Sequence, residues 1–442
     1  MNPLFRSGSR FITAGTCLGI VLGGASALRA QSASSTSDDK LNQLEQQNKD
    51  LQKRLDALEA MARKEGLIEG GPPAKKAVSA LSDVTLSGFV TTSFFHDSTE
   101  PPASIGHESP GYLWNRINDS FSLNFVELTL ASPKVERSGD KFDVGYSISL
   151  IAGQDAPFVN TSSGVIGFEF VREAYIDMNL PIGTGLDVRA GELVSLLNYE
   201  SGFGGAYNNN FSQGNQWFLT GNPPDEGIQL GYTLNDWLDV KFRVQNGLFA
   251  GPIDNNISKT FMGAIDIKPT DKLWLNLIGF GGREDAIFVQ SVWGASLLGG
   301  WQATDKLGFG TELDYWRFEN PAGSLAVTSG SAPAGESPVW STGLWASYDF
   351  TKQVGLALRA DFLSDKNGVD ATSLGDGAPL GFLNPPGTGQ DLSSLTLTLN
   401  YKPIPNLKLQ PEIRLDHTSW SGGFVAGKQY RVIVGAGASY LF

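Results

Sequence analysis

From residue 84 onward, apolar and polar residues change places at every second position. In the closing segment Tyr430, Val432, Val434, Ala436, Ala438, Tyr440 and Phe442 share one face, against Gly435, Gly437 and Ser439. Between 406 and 416, Leu407, Leu409, Pro411, Ile413 and Leu415 alternate with Lys408, Gln410, Glu412, Arg414 and Asp416. Leu238, Val240, Phe242 and Val244 oppose Asp239, Lys241 and Arg243, and Leu356, Leu358 and Phe362 oppose Arg359 and Asp361. Period two means strands. A soluble sandwich would turn the apolar face onto a packed core. A transmembrane barrel turns it to lipid and keeps charge in a wet lumen. Alternation fits both.

Turn spacing separates them. Short turn signals recur at Ser138-Gly139-Asp140, Pro181-Ile182-Gly183, Asn235-Asp236, Thr270-Asp271, Thr304-Asp305, Thr351-Lys352 and Pro403-Ile404-Pro405. Each sits between two alternating runs, as a hairpin requires. Longer stretches rich in Gly, Asn, Ser and Pro lie between them. Seven hairpins give fourteen strands, and an opening strand near Val84 to Phe95 plus the closing strand give sixteen. Alternating short and long connections mark an outer-membrane barrel, with the short turns in the periplasm. The predicted fold is therefore all-β: a transmembrane antiparallel β-barrel of about 16 strands over 84–442.

Eight long loops are expected at about 97–119, 152–167, 197–226, 248–258, 281–289, 319–337, 364–391 and 417–428. The third is the longest and has no Lys or Arg. A surface loop has no need of such length. It is expected to fold into the lumen and form a constriction with Tyr199, Glu200, Trp217, Asp225 and Glu226.

The first thirty residues read as a signal peptide. Arg6 and Arg10 precede an apolar stretch from Phe11 to Leu22, then small residues, with cleavage after Ala27 or Ala30. Residues 31–65 carry a leucine seam: Leu41, Asn48 and Leu55 fall seven apart, and so do Leu44, Leu51 and Leu58. That is a heptad pattern, predicting a short periplasmic α-helical coiled coil. Its leucines need partner helices, because a helix this short is marginal alone. Gly70-Gly71-Pro72-Pro73 ends the helix within a linker, 66–83.

Composition narrows the chemistry. Beyond residue 30 no apolar run is long enough for a helical membrane span. A formal charge of -13 argues against nucleic acid as a partner. Cys17, the single cysteine, lies in the predicted signal, and His96, His107 and His417 lack zinc-site spacing. No metal or cofactor is expected. His417, beside Asp416 and near Ser419, is the one candidate for a hydrolytic Ser-His pair, but no G-x-S-x-G elbow accompanies it. A solvated rim histidine explains it better. Glu312, Asp314, Glu412 and Asp416 fit a pore wall better than an acid/base pair, so no enzyme is expected. The predicted wall comprises Arg189, Asp239, Lys241, Arg243, Glu312, Asp314, Arg359, Asp361, Glu412, Arg414 and Asp416.

Residues 84 to 442 resemble the OmpL-like beta-barrel porins of Gram-negative envelopes. The resemblance rests on Arg172-Glu173-Ala174-Tyr175, on Ala190-Gly191-Glu192-Leu193 leading to Asn198-Tyr199-Glu200, and on Tyr207-Asn208 with Phe211-Ser212. It continues through Val244-Gln245-Asn246-Gly247 to Pro411-Glu412-Ile413-Arg414-Leu415-Asp416. The pattern departs at Asn198, where a Gly is expected, and lacks a His before the sixth strand. The resemblance implies an outer-membrane porin passing small hydrophilic solutes and ions by passive diffusion. A carbohydrate-selective channel and a non-channel barrel serving as envelope anchor or adhesin are the alternatives. Sixteen-stranded porins are commonly trimeric, so a homotrimer is expected, with the coiled coil helping to hold three barrels in register. Tyr440 and Phe442 are expected to signal to the barrel-assembly machinery, and lipid should cover the outer face.

Overall fold

The computed structural model describes residues 84–112, 115–160, 168–220, 224–248, 254, 256–283, 291–320, 334–368 and 388–442, with Gln46, Lys49, Gln52 and Lys53 before them. The expected signal peptide (1–30) and linker (66–83) lie outside the described residues. So do Leu41, Leu44, Asn48, Leu51, Leu55 and Leu58 of the expected coiled coil; the four described positions there are helical and exposed.

Sixteen strands follow: β1 (Thr85–Asp97), β2 (Ser120–Ala131), β3 (Asp143–Ala152), β4 (Val171–Leu180), β5 (Leu186–Leu193), β6 (Asp225–Asn235), β7 (Leu238–Gln245) and β8 (Thr260–Thr270). The second half comprises β9 (Leu273–Arg283), β10 (Ser291–Gln302), β11 (Leu307–Asn320), β12 (Gly335–Asp349), β13 (Val354–Asp365), β14 (Gln390–Ile404), β15 (Leu407–Thr418) and β16 (Tyr430–Leu441). Each pairs antiparallel with its neighbours in sequence, and β1 pairs with β16, from Phe89 opposite Leu441 to Asp97 opposite Ile433. The Phe442 N–H donates to the Gly88 carbonyl at 2.9 Å, and Gly88 returns the bond at 3.0 Å. Closure leaves no sheet edge, which a hydrocarbon environment demands.

The outer face is apolar and layered. Trp301, Phe309, Tyr348, Tyr401 and Tyr440 are exposed near the short-turn ends of their strands. Phe121, Trp293, Tyr315, Trp340 and Tyr430 are exposed toward the long-loop ends. Leu277, Leu358, Leu397, Ile413 and Val434 lie exposed between these two girdles. Two aromatic belts around an aliphatic band match the two interfaces of a bilayer.

Two sequence expectations need correction. Ser138-Gly139-Asp140 does not form a tight hairpin: the chain leaves β2 at Ala131 and rejoins at Asp143. Pro133 has no N–H to continue the ladder, and Asn179 Nδ2 instead holds the excursion through Ser138 O (2.8 Å) and Lys141 O (2.7 Å). Asp225 and Glu226 are not loop residues either. They open β6, paired with Leu193 and Glu192, so the third loop ends before them.

The inner face is not uniformly polar. Met262, Phe280, Val292, Trp316, Phe318, Val339, Leu363 and Leu392 point inward and are buried with Trp217 and Leu219 of the third loop. Strand periodicity cannot foresee this, because the partner of these side chains is a distant loop rather than water.

Candidate functional site

A chain crossing a barrel lumen leaves the sheet, so its N–H and C=O groups have no ladder partners and must be met elsewhere. The third loop, between β5 and β6, is met by charged side chains of the wall. Carboxylates take its amides. Glu412 accepts from the N–H of Phe211 (2.7 Å) and Ser212 (3.1 Å), Asp361 from Asn215 (2.8 Å), and Glu312 from Tyr199 (3.1 Å). Cations take its carbonyls. Arg359 donates to Ser212 O, Arg414 to Gln213 O, Arg243 to Val194 O at 2.8 Å, and Lys408 to Asn208 O at 2.8 Å. Charge-assisted bonds of this type are the stronger ones.

Glu200 is the loop's own anchor. Its carboxylate accepts from Arg359 Nη1 (2.9 Å), Trp345 Nε1 (3.1 Å), Gly214 N–H (2.9 Å) and Gln216 Nε2 (3.1 Å). Arg359 also donates to Asp361 at 3.1 Å and to Thr396 at 3.0 Å. Next to this pair, Asp416 bridges Arg414 (2.5 Å) and Arg431 (2.7 Å), and Arg431 reaches Asp97 of β1 at 3.5 Å. The Tyr112 ring of the first long loop faces both guanidinium groups, at 4.6 and 4.8 Å. The side chains of Arg359, Arg414 and Arg431 are at most 2% exposed.

Aromatic rings set the loop's depth. Phe211 lies over Gly437 of β16, where a Cβ would come within 2.0 Å of it, and against Phe95 at 5.6 Å. Tyr199 lies over Gly310 of β11 and next to Trp345 at 4.3 Å. Asn198, just before it, has φ of 84°. That left-handed conformation is natural for Gly, and Asn is among the few other residues that adopt it readily, which reconciles this departure from the family pattern.

The predicted constriction residues therefore divide. Tyr199 is half-exposed and borders a lumenal cavity. Glu200 is buried, its charge matched by Arg359, so it is not an acid facing solute. Trp217 is 1% exposed and its Nε1 donates to Glu200 O at 3.2 Å, so it offers no stacking face. Asp225 is buried in the wall, and Glu226 sits beside Glu192. The corrections at Glu200 and Trp217 have one cause: a loop residue finds a buried partner, and pattern alone does not name it.

The predicted wall residues divide too. Arg359, Asp361, Glu412, Arg414 and Asp416 lie under the loop, while Glu312 is buried against Tyr199 and Thr220. Asp314 is buried between Ser296 (2.6 Å) and Ser341 (2.7 Å). Arg243 is buried and takes Gln229 at 2.8 Å. Charge touching water sits opposite, on β4, β5, β7 and β8. Arg189 is 35% exposed between Asp177 (3.5 Å) and Asp187 (3.8 Å), and Lys241 is 31% exposed beside Asp266 at 2.5 Å. Asp239 is half-buried on the same side. His417 packs at a tilt against the Tyr430 ring at 4.4 Å, on the strand face opposite the one Asp416 uses. Tyr440 and Phe442 are exposed on the outer face.

Sequence reasoning missed Arg431, Asp97 and Trp345. Parity alone placed Arg431 inward, on the face of Gly435 and Gly437, and would have flagged it. Trp345 carried no signal, because an inward tryptophan looks like a girdle residue until its register is known.

A closed sixteen-stranded barrel with its third long loop folded against the inner wall is porin architecture. The family model described as Putative beta-barrel porin-2, OmpL-like, matches residues 83–440, and the chain belongs to that family. Among solved structures the chain is similar to an anion-selective porin from Comamonas acidovorans, with TM-score 0.51, 11% identity, and coverage of 81% of this chain and 99% of that one. It is also similar to the trimer form of OmpT, an outer membrane protein of Vibrio cholerae, with TM-score 0.53, 11% identity, and coverage of 81% and 99%. At such identity the likeness is one of fold. Comparison with curated proteins gives no match.

Proposed function

We propose that this protein is an outer-membrane channel through which small hydrophilic solutes and ions diffuse passively. The observation that carries this reading is the pinned third loop. It covers the wall formed by β13 to β16 and leaves the charges on β4, β5, β7 and β8 in contact with water. Solutes pass between loop and exposed wall, so pore width sets the size limit and wall charge sets the ion preference. Purified protein in a planar bilayer should give stepwise, ohmic conductance. A correctly folded barrel without conductance would return the reading to an envelope anchor or adhesin.

The acting unit is a homotrimer, with residues 31–65 joining as a periplasmic coiled coil once the signal peptide is removed. The heptad leucines support this, as does the trimer form of OmpT among the similar folds. Deleting residues 31–80 should lower the temperature at which the oligomer dissociates on gels. An unchanged oligomer would reduce the helix to a spacer.

A further inference from the structure

Three glycines on adjacent strands each have a ring pressed onto them. A Cβ on Gly300 of β10 would lie 2.2 Å from Trp274 Nε1, one on Gly310 of β11 2.1 Å from Tyr199 Cζ, and one on Gly343 of β12 2.2 Å from the Trp345 ring. Glycine weakens a strand interior and marks places where another group approaches closely. Here it lets three rings from β9, the third loop and β12 lie along the wall. Tyr199 is nearly parallel to Trp274, at 11° and 6.0 Å, and lies 4.3 Å from Trp345 at 28°. The rings are fixed: Trp345 Nε1 donates to Glu200 at 3.1 Å, and the Tyr199 N–H to Glu312 at 3.1 Å. Trp274 keeps 38% of its surface exposed.

The rings border a cavity of about 470 Å3 at the short-turn side of the loop. The rest of its lining mixes apolar groups (Phe309, Ala346, Ala357) with Asn209, Gln302, Ser347, the Glu200 carboxylate held by Arg359, and Asp271 and Lys272 at the β8–β9 turn. Asn209 is exposed, and Asp271 and Lys272 carry opposite charges. An exposed ring face, amide and hydroxyl groups at its edge and charges each matched by a partner suit a neutral ring that is apolar on its face and polyhydroxylated around its rim. Apolar contact with a few placed polar groups is the general form of a small-molecule site, and aromatic rings supply large contact area with little side-chain freedom to lose.

Resting on the channel reading above, the geometry points to Trp274 and Tyr199, backed by the buried Trp345, as a stacking platform for pyranose sugars at the periplasmic mouth of the lumen. The test uses the full-length protein in a planar bilayer, with maltose added on the short-turn side. Maltose should reduce the current saturably, while sorbitol, hydroxylated but acyclic, should require at least tenfold more. Trp274→Ala should raise the half-blocking maltose concentration at least tenfold, and the outer-face variant Trp293→Phe should leave it unchanged. Conductance without saturable maltose block, or equal block by sorbitol, overturns the platform and leaves the channel standing. If a correctly folded barrel gives no conductance, the channel reading fails instead. Maltose titration of tryptophan fluorescence in detergent then decides the platform by itself: a saturable change lost in Trp274→Ala supports it, and no change overturns it.

Discussion

Oε1 of Glu200 and Nη1 of Arg359 meet at 2.9 Å across 159 positions of sequence, and neither side chain is more than 2% exposed. The pair joins the third loop to β13 and sits where Asp361 accepts from the loop's Asn215 N–H and Arg359 donates to its Ser212 carbonyl. Removing one partner of a buried pair typically costs about 3–5 kcal/mol, because the other charge is left stranded. Arg359→Met should therefore free the loop. The folded band should unfold at lower temperature on gels, and single-channel conductance should be larger and noisier than wild type. An unchanged conductance would show that the loop is held without this pair.

Ion selectivity should follow the exposed wall rather than the loop. Glu200 is already matched by Arg359, and charges beyond about 8 Å of the solute path are screened at physiological salt. Acids outnumber bases among the part-buried charges near Arg137, Arg189 and Lys241, which include Glu173, Asp177, Asp187, Asp239 and Asp266. A mild cation preference is expected. Asp177→Asn with Asp187→Asn should shift the reversal potential in a salt gradient toward anions. Anion preference in the wild-type channel would mean that Arg189 and Lys241 dominate.

The terminal residue should matter for assembly. Phe442 exchanges backbone hydrogen bonds with Gly88 while its ring remains on the outer face, so it both closes the seam and presents an aromatic to lipid. Phe442→Asp should leave export intact and reduce heat-modifiable barrel in the membrane several-fold. Normal membrane levels would remove the assembly role.

The packing of the first and second long loops should loosen as pH rises. Asp155 is 1% exposed and accepts from Asn115 N–H (2.9 Å) and Asn124 Nδ2 (2.7 Å). Burial pushes its carboxyl up to about 6, against the lowering effect of those bonds and of Arg116. A carboxyl raised on folding favours the packed state below its unfolded value, about 3.9, and that advantage is lost as pH rises through 6. The difference is on the order of 2 to 3 kcal/mol. Protection of the Asn115 amide, corrected for intrinsic exchange, should be greater at pH 4.5 than at pH 7. Asp155→Asn should abolish the difference; an Asn variant with the same pH profile would assign it to another group.

Much of this molecule was written in the sequence. Parity sorted Leu407 from Lys408 and Leu358 from Arg359, because in a strand one residue's step decides between lipid and lumen. Turn residues then fixed the strand count, since a hairpin needs its breakers at known places. The Tyr430 to Phe442 face was legible for the same local reason. What tertiary structure alone decided is the meaning of an inward position. Asp239 and Asp416 look alike in a list of wall acids, yet one is only part-buried and the other is sealed between Arg414 and Arg431. Glu200 reads as a loop acid until the fold brings Arg359 to it. Periodicity is a property of neighbours along the chain, whereas burial, pairing and the flat seat that Gly310 gives Tyr199 depend on which distant strands closure brings together.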